Sequence, residues 1–432
     1  MRILKIIHGY PPHYNAGSEV YSQMLCHGLA KNNEVHVLTR EENPFAEDFT
    51  WNITQDSHHP SITLHRINIP LEKYRYRYQH PYLDKQVESF IDRIKPQIVH
   101  IGHLNHLSTS LVDIIAKKNI PMVYTLHDYW LMCPRGQFIQ RNPDVDSPLW
   151  SLCDGQKNKK CATYCYSGYF SGNKNENNID IAYWTNWVKR RMHQMYQVAE
   201  KIKYFIAPSF YLYHRYITDF GLPPHKMIYL DYGFDLDRLS RRQRLSKEDF
   251  TFGYIGTHIP AKGIQLLIQA FSRLGDNCRL RIWGRPRPQN TAGLHVIAAK
   301  LPSQVQSRIE WLPEYSNEKI IKTVFNHVDC IVVPSIWVEN SPLVIHEALQ
   351  ARIPVITANI GGMAEYVHHE INGLLFEHRN EKSLSEQMQR LVNHPSWAKK
   401  LGLRGYIQSP DGNIPSQKDH VAEIEKIYKS LL

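Results

Sequence analysis

Long apolar runs are missing from this sequence. No stretch of about 18 apolar residues occurs, so we expect no membrane-spanning helix. The first ten residues, MRILKIIHGY, are too short for the apolar part of a secretion signal and lack a small-residue cleavage site, so we expect a cytoplasmic protein. Only 22 of 432 residues are glycine and 7 are cysteine, which excludes a collagen-like chain and a small disulfide scaffold.

Charged residues are also modest in number, but their balance is informative. They make up 21% of the chain against 42% hydrophobic residues, which excludes disorder as the main state. Lys and Arg exceed Asp and Glu by 51 to 41, a net charge of +10, which favours an acidic partner: nucleic acid, anionic lipid or a phosphorylated small molecule. Nucleic acid is the weakest of these, because the basic residues are dispersed and no zinc-finger spacing occurs.

Short apolar runs rich in Val and Ile alternate with helical patterns in both halves of the chain. This alternation is typical of βαβ units with a parallel sheet, and the length suits two domains. The predicted strands cover 3–7, 34–38, 62–67, 97–101, 121–126 and 204–207, then 251–255, 279–283, 309–312, 330–333 and 354–357. We therefore predict an α/β protein with two Rossmann-like doubly wound domains.

The predicted domain organisation follows from breaks in this rhythm. A first domain spans 1–235 and carries a polar, cysteine-containing insertion at about 133–180. The charged run DLDRLSRRQRLSKED has no apolar periodicity and predicts a solvated linker at 236–250. A second domain spans 251–408, and 409–432 predicts a helix that packs back on the first domain.

Two strand-to-helix turns carry residues suited to phosphate. The first strand leads into HGYPPHYNAGSEVY, where Gly17 precedes a helix and allows a ligand close to the backbone. In the second half, FGYIG is followed by THIPAKG, which places Gly256, Lys262 and Gly263 at the end of a strand. A cation at a helix start is electrostatically unfavourable, so Lys262 there favours a phosphate contact over an ordinary surface lysine.

The stretch PSIWVENSPLVIHEALQARIPVITANIGGMAEY holds most of the candidate chemistry. Glu339 lies in a loop before a helix that begins near Pro342, and Glu347 lies within that helix. Carboxylates at such a position accept hydrogen bonds from hydroxyl groups, and the helix amides hold anionic oxygens. The alternatives are that Glu339 only caps the helix dipole and that Glu347 is a surface charge.

These motifs resemble the retaining glycosyltransferases of family 4. The resemblance rests on Glu339-x7-Glu347 with its flanks and on YPPHYNAGSE, TLHD, APS, YIG…KG and NG, in the family's order and over nearly the whole chain outside the insertion. It implies the GT-B fold, in which two Rossmann-like domains face each other across a cleft.

The resemblance also implies roles for residues. His127, Glu339 and Lys262 would be catalytic: His127 and Glu339 would contact the donor sugar, and Lys262 would neutralise charge on the leaving diphosphate. Glu347 would accept hydrogen bonds from the ribose, and Gly17 would let backbone reach the diphosphate. The remaining donor-binding residues would be Gly256, Thr257, Gly284, Arg285, Ser341, Pro342, Leu343 and Val344.

One position departs from the family pattern. The family commonly has an arginine after the YIG-like strand, and this chain has Thr257-His258. A threonine hydroxyl gives one neutral hydrogen bond, and His258 supplies charge only when protonated. Arg285 or Arg287 is therefore the candidate replacement in the diphosphate clamp.

The implied activity is transfer of a sugar from a nucleoside-diphosphate sugar, with retention and without a catalytic metal. The acceptor would be a glycan or a lipid-linked glycan of the cell surface. The alternative enzyme is a sugar-nucleotide epimerase of similar fold. Two basic aromatic stretches, 71–84 and 183–196, suggest acceptor binding or docking on an anionic membrane at the cytoplasmic face; the alternative is an ordinary loop and an amphipathic helix.

Four of the seven cysteines fall in the insertion: Cys133, Cys153, Cys161 and Cys165. Cytoplasmic proteins rarely keep disulfides, so these four predict a structural zinc site, with iron as the rival metal and free thiols or disulfides as the alternatives. They also suggest a subgroup of the family with a four-cysteine insertion after the His-Asp motif. Cys26, Cys278 and Cys330 lie in helix or strand patterns and are expected to be buried.

Overall fold

The computed structural model describes residues 1–69, 77–140, 150–166, 178–245 and 249–432. The chain divides into two compact units. Unit 1 comprises 1–138, 153–233 and 415–432, and unit 2 comprises 139–152 and 234–414. Each unit is built on a sheet of predominantly parallel strands, which confirms the predicted α/β fold class.

The described strands up to residue 229 are β1 (Arg2–Ile7), β2 (Glu34–Glu41), β3 (Trp51–Gln55), β4 (Ile62–Asn68), β5 (Ile98–Ile101), β6 (Met122–Thr125), β7 (Ile139–Gln140), β8 (Ser151–Leu152), β9 (Tyr204–Ala207) and β10 (Met227–Tyr229). Within the described residues, the sheet of unit 1 has the order β10-β9-β6-β5-β1-β2-β4-β3, and β7 pairs separately with β8. Strand β1 lies between β5 and β2, which explains why nearly all of RILKII is buried.

Strand β3 departs from the predicted pattern. It runs antiparallel to β4 at the edge of the sheet, and most of its side chains are at least partly exposed. Its sequence WNITQ is largely polar and therefore lacks the Val- and Ile-rich signature of a buried strand. Strand β10 is only three residues long, too short to give a signal in the sequence.

Helices surround the sheet of unit 1. They are α1 (Gly17–Leu29), α2 (Pro81–Ile94), α3 (Leu111–Lys117), α4 (Asn158–Cys161), α5 (Asn178–Lys201) and α6 (Phe210–Thr218). The start of α6 follows a common rule, because the Ser209 side chain accepts a hydrogen bond from the Leu212 amide at 3.2 Å.

Unit 2 has a fully parallel sheet. Its strands are β11 (Phe250–Ile255), β12 (Cys278–Trp283), β13 (Ile309–Trp311), β14 (Cys330–Val333), β15 (Val355–Ala358) and β16 (Gly373–Phe376). Among the described residues the order is β13-β12-β11-β14-β15-β16, so the chain order reverses direction between β11 and β14. Loops at the carboxyl ends of strands beside such a reversal are the usual ligand-binding position in this fold class.

The helices of the second half complete both units. They are α7 (Ile264–Phe271), α8 (Pro288–Ala299), α9 (Ser303–Gln306), α10 (Ile320–Thr323), α11 (Leu343–Gln350), α12 (Met363–Tyr366), α13 (Glu381–Asn393), α14 (Pro395–Arg404) and α15 (Gln417–Lys429). Helix α15 belongs to unit 1, where its Tyr428 hydroxyl lies 2.5 Å from His100 Nδ1.

The charged run predicted as a linker at 236–250 makes specific contacts within unit 2 in its described part, and its role as a solvated linker stays a prediction. Arg244 forms two hydrogen bonds of 2.8 Å with the carboxylate of Asp329, and Arg242 Nε donates to the Phe325 carbonyl at 2.8 Å. These arginines are therefore fixed within unit 2 by hydrogen bonds to carboxylate and carbonyl oxygens, although their sequence has no helical or strand periodicity.

In the described segments, no helix combines the length and apolar character needed to cross a bilayer.

Candidate active site

The first feature of the site in unit 2 is an ion pair between the partly exposed Lys262 and the buried Glu339. Lys262 ends a short 3₁₀ helix (Pro260–Lys262) after β11, and its Nζ lies 2.7 Å from Glu339 Oε1 in the loop after β14. The Ser335 hydroxyl donates to the same oxygen. Glu339 is only 5% exposed, so these partners offset the cost of burying its carboxyl group. Both residues therefore lie at strand ends of one sheet, as predicted. Their catalytic role remains a prediction.

The second feature is a buried ion pair between Glu347 and Arg238. Glu347 lies within α11, is 4% exposed, and accepts a hydrogen bond of 2.8 Å from Arg238 Nη2. Arg238 Nη1 is held in turn by the carbonyl and side-chain oxygens of Asn317, at 2.7 and 3.0 Å. Glu347 is therefore not the surface charge that the alternative interpretation required.

In both ion pairs, only one of the two carboxylate oxygens accepts a hydrogen bond. Among the described residues, Glu339 Oε2 and Glu347 Oε2 have no hydrogen-bond partner, whereas Oε1 of each residue is anchored. An anchored carboxylate with one unused oxygen is well suited to accept hydrogen bonds from hydroxyl groups of a ligand. Glu339 and Glu347 therefore present two fixed acceptors, one on the loop before α11 and one on that helix.

The loop before α11 is held by close backbone packing. The Gly362 amide donates to the Glu339 carbonyl at 3.0 Å, which joins the loops after β14 and β15. A β-carbon on Gly362 would lie 1.3 Å from the Asn340 carbonyl oxygen, so no other residue fits there. Beside this contact, the buried Ser341 hydroxyl has no partner in the described part of the chain. Pro342, Leu343 and Val344 follow at the start of α11.

Gly256 and Gly284 form a second close approach, at the ends of β11 and β12. A β-carbon on Gly284, whose φ is 143°, would lie 1.8 Å from the Gly256 carbonyl oxygen. Thr257 follows and is partly exposed. His258 is buried, with its Nδ1 3.2 Å from the Thr291 hydroxyl, and burial followed by the charge of His295 lowers its pKa. His258 is therefore neutral near pH 7 and does not replace the missing arginine.

Arg285 is partly exposed and already paired. Its Nη2 lies 3.0 Å from Glu314 Oε1. The backbone of its loop is fixed by a hydrogen bond of 3.0 Å from the His258 amide to the Arg285 carbonyl. Arg287 is exposed. A diphosphate would have to compete with Glu314 for the guanidinium, so the role of Arg285 stays a prediction.

In unit 1, His127 follows β6 and contacts Tyr232. Its Nδ1 lies 2.7 Å from the Tyr232 hydroxyl, which has no other hydrogen-bond partner among the described residues. A buried hydroxyl needs an acceptor for its proton, so Tyr232 donates to Nδ1. Burial lowers the pKa of His127 well below its usual range, so the ring is neutral. The proton of the neutral ring is then on Nε2, which makes that atom a hydrogen-bond donor.

Gly17 begins α1 and is exposed, as a residue that lets a ligand approach the backbone must be. The same helix contacts His127 through Tyr21, whose ring centroid lies 5.2 Å from that of His127. Glu19 Oε1 lies 3.2 Å from His8 Nε2. Although burial opposes it, His8 lowers the pKa of Glu19 to about 2, so this carboxylate is ionised.

Several residues that hold these side chains were not predicted from the sequence. Arg238 lies in the run interpreted as a linker, and nothing in its spacing distinguishes it from the neighbouring arginines. Ser335 and Tyr232 are single polar residues beside strands. The partner of Tyr232 is 105 positions away, whereas Ser335 is four residues from Glu339 in a loop without regular periodicity. The pairs form only in the folded chain, so no local pattern could have shown them.

The predicted four-cysteine metal site is contradicted. The thiols of Cys133, Cys153, Cys161 and Cys165 do not cluster as metal ligands, and the described residues contain no group of three or more His, Cys, Asp or Glu side chains positioned for a metal. Cys153 instead donates to the Gly155 carbonyl at 3.2 Å. Burial, with a smaller contribution from neighbouring thiols, raises the pKa of Cys161 to about 11 and of Cys165 to about 12. Cys161 and Cys165 are therefore protonated thiols, and the four-cysteine subgroup stays a prediction.

The two basic aromatic stretches have different outcomes. Of the first, 71–84, residues 71–76 lie outside the described residues, and 77–84 lead into α2. The second, 183–196, forms part of α5. Its Arg191 is buried and donates to the Trp130 carbonyl at 2.6 Å, while Lys189 and Arg190 are exposed. The helix is therefore amphipathic, and its inner face packs within unit 1. This agrees with the interpretation of the stretch as an ordinary amphipathic helix.

Comparison with known sequences gives the class to which this architecture belongs. Residues 16–238 match the family described as Glycosyltransferase Family 4, and residues 236–408 match Glycosyl transferases group 1. The chain therefore belongs to the family 4 glycosyltransferases, as the sequence motifs predicted.

Individual relatives are distant and only partly aligned. The chain is 27% identical over 261 residues to the capsular polysaccharide biosynthesis glycosyltransferase CapM of Staphylococcus aureus, covering 54% of this chain and 65% of that protein. It is 30% identical over 184 residues to an uncharacterized glycosyltransferase of Methanocaldococcus jannaschii, covering 42% and 49%. A D-inositol 3-phosphate glycosyltransferase of Rhodococcus jostii is 26% identical, covering 41% and 42%. These alignments span less than two thirds of each relative.

Solved structures match over the whole length. Sucrose-phosphate synthase of Thermosynechococcus elongatus has a TM-score of 0.71 at 17% identity and covers 100% of this chain and 98% of its own. HepE of Anabaena in complex with UDP has a TM-score of 0.68 at 16% identity and covers 100% of both chains. At these identities the likeness establishes the GT-B fold.

Proposed function

We propose that the protein transfers a sugar from a nucleoside-diphosphate sugar to a glycan or lipid-linked acceptor, with retention at the anomeric carbon. The observation that carries this proposal is the pair of buried, anchored glutamates, Glu339 and Glu347, each with an unused Oε2. Two hydroxyl-accepting carboxylates on one loop and helix suit the two hydroxyl-bearing parts of such a donor, the sugar and the ribose.

Each residue then has a definite task. Glu347, fixed by Arg238, accepts hydrogen bonds from the ribose, and Glu339 accepts one from the donor sugar. Lys262 Nζ has three donors, so it can contact the departing diphosphate while it stays paired with Glu339. Stabilisation of that developing charge by a fixed cation is commonly the largest catalytic contribution. Neutral His127 donates from Nε2 to a sugar hydroxyl.

Transfer breaks the bond between the anomeric carbon and the diphosphate oxygen and forms a bond to the acceptor oxygen on the same face of the sugar, while the acceptor hydroxyl gives its proton to the departing diphosphate. Basic side chains and helix amides neutralise the diphosphate, so the reaction needs no catalytic metal. A role in cell-surface polysaccharide synthesis is supported by the name of the CapM relative. UDP is the first nucleotide to test, because the structural neighbour HepE was solved with UDP and with UDP-glucose.

A thermal-shift screen tests donor binding. UDP-, GDP-, ADP- and dTDP-sugars are added at increasing concentration, and the true donor raises the unfolding temperature through mass action. Glu347→Gln should abolish this shift, whereas Glu310→Gln, a charge-matched change at a surface ion pair of β13, should leave it unchanged. A protein that responds to none of these nucleotide sugars contradicts the proposal.

A further inference from the structure

A cavity of about 690 Å³ lies in unit 1 along the exposed face of α5. Tyr78, from the segment before α2, forms one wall, and Lys189, Arg190, His193 and Gln194 of α5 are among the residues on the other. None of the lining residues in the described chain carries a carboxylate. The described lining of the cavity therefore carries two permanent cations and no carboxylate to neutralise them.

The orientation of these cations is fixed by the opposite face of α5. Buried Arg191 donates to the Trp130 carbonyl at 2.6 Å, and its guanidinium carbon lies 4.5 Å from the centre of the Trp130 ring. With Arg191 turned inward, its neighbours Lys189 and Arg190 face outward and are exposed. In the described segments neither forms an ion pair, so both keep their donors for a ligand.

The opposite wall is equally fixed. The Tyr78 carbonyl accepts hydrogen bonds from the amide and hydroxyl of Thr109, at 2.8 and 2.9 Å. The Tyr78 ring packs edge-on against Trp187 of α5 at 5.5 Å between ring centres. The cavity is thus bounded on both sides by groups that are already held in place.

Gln194 provides an independent indication of a ligand. Its side chain is only 8% exposed, it lines the cavity, and its Nε2 has no hydrogen-bond partner in the part of the chain that is described. Buried amide donors are almost always satisfied, because leaving one unpaired is costly. An unpaired amide donor in the wall of this cavity, beside two cations, favours an oxygen-rich anion as the ligand.

We propose that this cavity binds a phosphate group of the acceptor, so that the acceptor is a phosphorylated molecule. Charged hydrogen bonds from lysine and arginine to phosphate are among the strongest in proteins, and the volume falls within the range of roughly 300–1,000 Å³ that small ligands occupy. The assignment to the acceptor rests on the proposed function; the phosphate site itself does not. A concave site lined by amide groups suits a discrete phosphate better than a flat membrane surface.

Calorimetric titration with inorganic phosphate at constant ionic strength tests the site, with and without saturating UDP so that the donor site is accounted for. We expect Lys189→Ala/Arg190→Ala to weaken phosphate binding at least tenfold. The control variant Lys203→Ala/Lys300→Ala removes two exposed charges elsewhere and should bind like the wild type. Equal loss in both variants would mean that only overall charge matters and would overturn the proposal.

Gln194→Glu separates a phosphate site from a merely structural one. The carboxylate has nearly the same shape and faces the cations, so the unfolding temperature should not fall, whereas phosphate binding should weaken at least tenfold through repulsion. Unchanged phosphate binding in this variant would refute the role of Gln194 and with it the site.

Two further measurements separate this inference from its alternatives. Binding to vesicles of phosphatidylglycerol and phosphatidylcholine without binding of inorganic phosphate would assign the surface to a membrane and overturn the proposal. UDP binding to Lys189→Ala/Arg190→Ala should be unchanged. A protein that binds phosphate at the cavity but no nucleotide sugar would contradict the proposed function while retaining the site.

Discussion

Replacement of Arg238 by methionine tests how Glu347 is held. The change removes the cation and leaves Glu347, 4% exposed, as an unpaired buried charge. Breaking a buried pair from one side costs about 3–5 kcal/mol, and we take the lower end because Arg238 retains 10% exposure. For a unit of this size about 3 kcal/mol corresponds to a fall of roughly 6–12 °C in the unfolding temperature of unit 2.

The assay is differential scanning calorimetry of four proteins: the wild type, Arg238→Met, Glu347→Leu and the double variant. The double variant should be more stable than Arg238→Met, because it removes the stranded charge as well. Arg279→Met removes a side chain that is 43% exposed and pairs with Asp249 and Glu310, and it should cost no more than about 1 kcal/mol, which makes it the control. A loss in Arg238→Met no larger than in the control would refute the reasoning.

Other predictions concern single residues. Arg285→Ala should raise the donor KM at least tenfold if the guanidinium leaves Glu314 for the diphosphate; an unchanged KM in steady-state kinetics would exclude it from the clamp. Tyr232→Phe should remove the hydrogen bond that fixes the His127 tautomer, so that ¹⁵N NMR shows protonation of Nδ1 as well as Nε2. An unchanged spectrum would contradict the assignment. Burial lowers the pKa of Lys5 to about 8, below its unfolded value, so chemical denaturation should show stability rising from about pH 8 to about pH 10.5 in the wild type and less in Lys5→Met. Equal pH dependence in the two proteins would show that Lys5 is not the group responsible.

The sequence predicted the parts of the fold that repeat along the chain. The buried strands of both sheets carry Val and Ile because helices cover both faces of a parallel sheet, and that composition is readable locally. Strand β3 was not predicted, because an exposed edge strand is not enriched in Val and Ile. The locations of Glu339 and Lys262 were predicted from strand ends, since the carboxyl ends of parallel strands meet at one edge of the sheet.

The partners of the site residues could not be predicted in the same way. Arg238 is 109 positions from Glu347, and Lys262 is 77 from Glu339, so each pair exists only after folding. The cysteines show the opposite error: Cys133, Cys153, Cys161 and Cys165 are close in sequence, but proximity in sequence does not give the tetrahedral arrangement that zinc requires.

The most direct test of the central claim is ¹H NMR of the nucleotide sugar that gives the largest thermal shift, incubated with the protein and water as the acceptor. The account predicts slow release of nucleoside diphosphate, with the free sugar appearing first in the anomeric configuration of the donor and no release by Lys262→Ala. A first product of inverted configuration would contradict retention. Conversion of the donor to an epimeric nucleotide sugar, with no diphosphate released, would contradict glycosyl transfer itself.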